Sequence, residues 1–286
     1  MSESEWNLPE LMVCATSREI KNGERVFVGI GVPLLAATLA KLTHAPNIKL
    51  IYEAGGFDAQ TLRLPWGIDD NPTTEKALMA TTMWRIFSDQ QKGFVDLGIL
   101  GGAQIDRYGN LNTSAIFGKG DYFQPSVTLP GSGGGNDIAS SARRTIILMR
   151  LEKRRFVKKV DYITSPGYLN GFNSRKKVGL IGGGPSAVIT SKAIFRFDEK
   201  TKEMYLDSVA PGVSVEEVKS EVQWNLKVAK SVKVIEPPTR EELEIIRLLD
   251  PAGIVLSPKE VNTPEDFNSF ITLLRKNIEK IKKKLY

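Results

Sequence analysis

Short apolar stretches that stop at glycine recur along this chain. Arg25 to Val28 stops at Gly29-Ile30-Gly31, Ile48 to Tyr52 at Gly55-Gly56, and Phe94 to Leu100 at Gly101-Gly102. Each run is short for a helix and suits a buried strand, and glycine allows the backbone to turn where other residues cannot. Helical patterns fall between them, over Glu10 to Lys21, from about Pro33 to Leu42, and over Thr74 to Phe87. Proline suits the first turn of the second of these. Strands alternating with helices pair in parallel and bury their sheet beneath the helices. The pattern therefore predicts an α/β fold built on an open, mainly parallel sheet.

The later chain continues the alternation. Strands are expected at Val127 to Leu129, Thr145 to Met149, Val160 to Ser165, Ala187 to Thr190, Ile194 to Phe197 and Met204 to Val209. The last two form a hairpin turning at Asp198 to Thr201. Helices are expected at Asp137 to Ala142, at Ser214 to Ser220 behind a serine cap, and at Arg240 to Leu249. Pro237-Pro238 marks a boundary, giving a domain over residues 1–236 and a helical extension over 237–286. In that extension Phe267, Phe270, Ile271, Leu274, Ile278, Ile281 and Leu285 recur at spacings of three and four, one face of an amphipathic helix. The face is expected to pack on its own domain or on a partner. No internal repeat or low-complexity tract interrupts the chain.

The stretch Asn47 to Asp58, NIKLIYEAGGFD, carries the most chemical information. Carboxyl ends of strands in open α/β sheets face the crevice where ligands bind. Glu53 sits at such an end, with Gly55 and Gly56 behind it to let a substrate approach. A carboxylate there can serve as base, metal ligand or nucleophile, and an ordinary turn acid is the plain alternative. Asp58, Asp106 and Asp137 are better explained by turns or a helix start. A second candidate is the glycine-rich loop with Gly131, Gly133, Gly134 and Gly135. A linker would be longer and richer in serine. Flanked by strand and helix, the loop reads instead as a nest of N–H groups for a phosphate or an oxyanion. Gly29-Ile30-Gly31 lacks the third glycine of a dinucleotide fingerprint, although Glu53 can imitate its ribose-binding acid.

Composition limits the other readings. Of 286 residues 41% are hydrophobic and 25% charged, which suits a globular domain, and no apolar run is long enough to span a bilayer. The N-terminus has no signal-peptide pattern. Cys14 is the single cysteine and His44 the single histidine, so a Cys/His zinc site and an internal disulfide are excluded and a cytoplasmic setting is expected. No metal is expected. The net charge of +6 is uneven: Arg143 to Lys177 holds eleven basic residues against two acids, and Glu265 to Tyr286 six against three. Such patches attract polyanions, including a phosphorylated cofactor, though a solvated surface is their commonest origin. With no aromatic platform or recognition motif beside them, no nucleic-acid partner is expected.

Five segments in order resemble the β subunit of class I coenzyme A transferases, closest to the glutaconate CoA-transferase type: VGIGVPLLAA, LIYEAG, LGGAQIDRYGNLN, PGSGGGNDIA and MRLEKRRFVKKVDYITSPGY. They cover most of residues 20 to 210. The resemblance implies an open α/β sheet and a glutamate nucleophile in a Glu-x-Gly context, which Glu53-Ala54-Gly55 matches. It implies a glycine-rich loop beside that glutamate, matched by Gly131 to Gly135, with Gly29, Gly31, Gly55, Gly101, Gly102 and Gln104 in supporting turns. Coenzyme A enters as a substrate, with no permanently bound cofactor, and the acceptor is a carboxylic acid. The active site is implied to lie between this chain and an α-type subunit, in a hetero-oligomer of αβ units. Two departures stand out: Leu64 to Lys92 is less recognisable, and the helix from Pro264 extends past the usual end. A hydrolase of CoA thioesters or β-carbonyl rings on the same scaffold, and a nucleotide-binding module using Gly29-Ile30-Gly31, are the alternatives. The Glu53-x-Gly55 match argues against the hydrolase.

Overall fold

The computed structural model describes residues 6–61, 63–251, 253–256 and 264–285. In chain order, helix α1 (Leu8–Arg18) and strand β1 (Arg25–Phe27) lead to α2 (Val32–Leu42), β2 (Lys49–Ile51) and β3 (Gly56–Phe57). A 3-10 turn at Asn71–Thr73 precedes β4 (Met79–Ala80) and α3 (Met83–Gln91). Next come β5 (Leu97–Leu100), β6 (Gln104–Ile105), β7 (Leu111–Asn112), β8 (Ala115–Ile116), β9 (Val127–Thr128), α4 (Gly135–Ser141) and β10 (Arg144–Leu148). The chain closes with α5 (Ser174–Lys177), β11 (Pro185–Ile189), β12 (Ala193–Phe197), β13 (Met204–Val209), α6 (Val215–Ser220), β14 (Lys227–Val234), α7 (Arg240–Leu249) and α8 (Pro264–Leu285).

Internal contacts divide these elements into two units, one of Met1–Ile86 with Pro237–Tyr286 and one of Phe87–Glu236. The second unit ends at Glu236, and helices α7 and α8 beyond it group with the N-terminal segment.

In the first unit β1 and β2 pair in parallel, Val26 opposite Leu50, and β3 and β4 add antiparallel strands beyond β2. Helix α2 buries Leu34, Leu35, Ala36, Ala37, Leu39 and Ala40, nearly its whole circumference. Helix α1 opens with a reciprocal cap between Asn7 and Glu10 and is clamped to α7 at two points. Arg18 grips Glu242 at 2.9 and 2.6 Å, and Arg247 reaches Glu10 at 2.9 Å. Helix α8 docks within this unit through Phe270, Asn277 and Ile281. Phe270 stacks on Trp66 with ring centres 5.8 Å apart, and the Asn277 amide donates to the Leu248 carbonyl at 3.1 Å. Phe267 and Leu273 on the same helix stay exposed, so only a narrow stripe is covered.

In the second unit the strand order is β14-β13-β12-β11-β10-β5. Strands β5, β10 and β11 are parallel, β12 and β13 follow as antiparallel hairpin partners, and β14 returns parallel to β13. The parallel core is the one that the alternating pattern predicts, with antiparallel strands added at its flank. Ile146, Ile147, Ala187, Val188 and Phe195 fill its interior.

Two local expectations differ from the structure, and one strand was not expected. Thr74 to Phe87 is helical only from Met83, because the Leu78 and Thr81 amides donate to Phe57 and Gly55 carbonyls at 3.0 Å and draw the segment into β4. Val160 to Ser165 is not a strand. Its amides are used instead to hold the β6–β7 hairpin: Thr164 and Ser165 donate to Leu111, and Asp161 donates to the Gln104 side chain. Strand β14, KVAKSVKV, has no counterpart in the sequence reading. It is a mostly exposed edge whose lysines discourage pairing with another chain.

Candidate active site

The residue of greatest chemical interest sits on a corner held by backbone. Strand β2 ends at Ile51, and Tyr52 behind it is buried. The Tyr52 amide donates to Gly56 at 2.9 Å and the Gly55 amide donates back to Tyr52 at 3.1 Å, so Glu53 and Ala54 form the corner. Gly55 has φ of 122°, and a Cβ on it would lie 1.9 Å from the Thr81 carbonyl oxygen. A Cβ on Gly56 would lie 1.8 Å from that of Thr73. Two neighbouring strips of backbone therefore occupy the space that side chains at these positions would need, and only glycine fits. The Glu53 side chain is partly buried, and its carboxylate hydrogen-bonds or pairs with no described residue.

Asp58, five positions on, is a different kind of carboxylate. It is buried, sits at φ of 53°, and is bridged by the ammonium groups of Lys41 and Lys49, the latter at 2.7 Å. Burial first, and then the Asp58 charge, pushes the Tyr52 phenol up, which keeps it neutral. Of the two acids on this stretch, only Glu53 is left open to an incoming group. Gly29 and Gly31 belong to the same unit. Gly31 is the N-cap of α2 without a side-chain cap, and its carbonyl accepts from Leu35 at 3.0 Å.

The glycine-rich loop, Gly101, Gly102 and Gln104 lie in the second unit. Within the loop, the Gly131 amide donates to Thr113 and the Gly135 amide to Ser132, both at 2.8 Å. Two of the four glycines marked by the sequence are thus already engaged through their N–H groups. The Gly133 and Gly134 amides donate to no described backbone carbonyl. Helix α4 begins at Gly135, with Asp137 in its first turn accepting from the Gln91 amide at 2.8 Å.

Gln104 is buried and structural. Its carbonyl oxygen accepts from Asn112 at 2.7 Å and from the Asp161 amide at 3.1 Å. Asp106 accepts from Tyr108 and from the Asn110 side chain, both at 2.9 Å, and Asn110 in turn accepts from Gly167 and Leu169. Burial pushes the Asp106 carboxyl up, against these hydrogen bonds. The Gln104 to Asn112 motif is thus a hairpin stapled by its own polar side chains to the Ser165–Leu169 segment.

One buried residue carries no mark in the sequence, Arg175. It lies in the basic stretch taken for solvated surface, yet it is buried and donates to the carbonyls of Ala139, Pro166, Gly167 and Gly182 at 2.7–3.1 Å. Backbone acceptors leave no residue-type signature, so no sequence signal could have found it. Among the described residues no three His, Cys, Asp or Glu side chains gather as a metal site, and no helix is long and apolar enough to cross a membrane.

In open α/β sheets ligands bind outside the carboxyl ends of strands, and Glu53 stands just past the end of β2. The model of the coenzyme A transferase family matches residues 10–221. The chain is 42% identical over 248 residues to the B subunit of 3-oxoadipate CoA-transferase from Pseudomonas knackmussii, covering 86% of this chain and 94% of that one. It is 37% identical over 264 residues to the B subunit of glutaconate CoA-transferase from Acidaminococcus fermentans, covering 90% and 93%. The crystal structure of glutaconate coenzyme A-transferase from that organism matches with a TM-score of 0.82 and 34% identity, over 92% of this chain and 100% of the other. The chain belongs to the coenzyme A transferase family, as a chain of the β type.

Proposed function

We propose that this chain is the β subunit of an enzyme that moves coenzyme A from an acyl-CoA to a carboxylic acid, with Glu53 as the covalent carrier. One observation carries the reading: an unpaired, partly buried carboxylate in a Glu-x-Gly context, on a corner whose two glycines are dictated by close backbone. An ionised Glu53 oxygen attacks the thioester carbonyl and expels CoA thiolate, forming a mixed anhydride. The thiolate attacks the glutamyl carbonyl of that anhydride and releases the first acid as its carboxylate. A glutamyl-CoA thioester remains on Glu53. The acceptor carboxylate attacks this thioester, expelling thiolate and forming a second anhydride. Thiolate then attacks the acceptor's acyl carbonyl, and Glu53 leaves as a carboxylate. Charge is conserved at every step and no proton moves, so no histidine base is needed. Ping-pong kinetics are the signature of such a route.

Successive oxyanions need N–H donors. Within the Gly131–Gly135 loop the proposed donors narrow to Gly133 and Gly134, since the other two glycine amides are occupied. The proposed partner is an α-type CoA-transferase subunit, in line with the naming of the relatives as B subunits. The test is to incubate the complex with an acyl-CoA and no acceptor, reduce with borohydride, digest, and weigh the peptide carrying Glu53. A reduced thioester appears as the alcohol with a defined mass loss. An unmodified peptide together with an active Glu53→Gln variant overturns the proposal.

A further inference from the structure

The Arg175 guanidinium spends all its donors on main chain. Nε reaches the Gly182 carbonyl at 3.1 Å, one terminal nitrogen reaches Pro166 and Gly167 at 2.9 and 2.7 Å, and the other reaches Ala139 and Gly182 at 2.9 Å and Ser140 at 3.4 Å. The side chain is 7% exposed, and no described carboxylate pairs with it. Burying an unpaired cation is costly and persists only where its hydrogen bonds are complete. A lysine, with three donors on a single point, cannot span this set. The carbonyls it collects come from three separate places.

Ala139 and Ser140 are the last turns of α4, where a cation also meets the negative end of the helix. Pro166 and Gly167 follow Ser165, whose hydroxyl comes within 3.1 Å of where a Cβ on Gly135 would stand. Asn110 holds the same segment from its other side through the Gly167 and Leu169 amides. Gly182 donates its own amide to the Ser140 carbonyl at 2.8 Å. The loop at Gly131–Gly135 runs directly into α4 and its last residue lies against Ser165, so an anchor shared by α4 and the Ser165 segment bears on the end of the loop.

We propose that Arg175 is a positioning residue for the transfer reaction, holding the Gly131–Gly135 loop by tying α4 to the Ser165–Gly167 segment. The assignment rests on the reading of that loop as the oxyanion donor. Misplacing reacting groups by about 1 Å can cost about a hundredfold in rate, and that loss is what the loop would suffer without its anchor.

The experiment uses the complex with its α-type partner, carrying Arg175→Lys, Arg175→Gln or Arg175→Ala. Expected are an assembled complex, kcat lower by about a hundredfold, KM for acyl-CoA changed far less, and slower formation of the Glu53 thioester. Added guanidinium at sub-denaturing concentration should recover part of kcat in Arg175→Ala and none in the wild type. An assembled variant with wild-type kcat and thioester formation overturns the assignment. So does failure of all three variants to fold or assemble, which would make Arg175 a residue of the fold alone. If the wild-type complex forms no Glu53 thioester, the functional reading fails instead, and the two failures are distinct.

Discussion

Replacing Glu53 with Gln keeps the size of the side chain and removes the carboxylate proposed to attack. Activity should fall by several powers of ten, because the covalent route disappears rather than one hydrogen bond within it. Thermal stability should stay within about 0.5 kcal/mol, since no described residue depends on this carboxylate. Steady-state rates and a thermal melt on one preparation check both halves. Glu53→Asp retracts the charge by one methylene and should cost on the order of a hundredfold. Gly55→Ala has the opposite profile. Its Cβ would meet the Thr81 carbonyl at 1.9 Å on a backbone at φ of 122°. A loss of at least about 2 kcal/mol is expected in urea unfolding. An unchanged midpoint would show that the corner is not pinned as described.

The elements of the first unit carry two further predictions. The α1–α7 clamp depends on Glu242, whose carboxyl burial alone would raise but the Arg18 guanidinium and the Thr239 amide hold below the ordinary range. A carboxyl depressed in the folded state stabilises fully above its unfolded value, about 4.3, and loses that contribution as pH falls through the folded value. Glu242→Gln should therefore cost about 2 kcal/mol near neutrality, and the gap to the wild type should narrow progressively as pH falls below about 4.3. Melting curves at a series of pH values test this. Deleting residues 264–286 removes the buried Phe270 and Ile281, each contributing roughly 1.5–3 kcal/mol. The melting temperature should drop, and an unchanged one would make α8 a loose appendage. Helices α7 and α8 were legible because a proline pair at the boundary and periodic apolar residues are local signals. Strand β4 was not, because its pairing with Gly56 and Phe57 depends on partners more than twenty residues away. The sequence also marked Gly55 and Gly56 through their position after a strand, but not the Thr73 and Thr81 carbonyls that require them. Arg175 was hidden for a similar reason, as its acceptors are backbone atoms from three separate segments.

At the scale of the molecule, the chain matches nearly the full length of two relatives named as B subunits, covering 94% of one and 93% of the other. Purified alone, it should show no transferase activity, and adding an α-type subunit should restore it. Full turnover by the isolated chain would remove the proposed division of labour. The corner at residue 53 has a consequence for ancestry. Its shape is set by Gly55, Gly56 and the strips of main chain beside them, none of which involves the side chain at 53. Descendants of such a gene can therefore exchange that codon, and with it the proposed carrier, without redrawing the scaffold. The side chain at 53 is thus open to exchange on stability grounds, whereas a change at either glycine meets main chain at 1.8–1.9 Å.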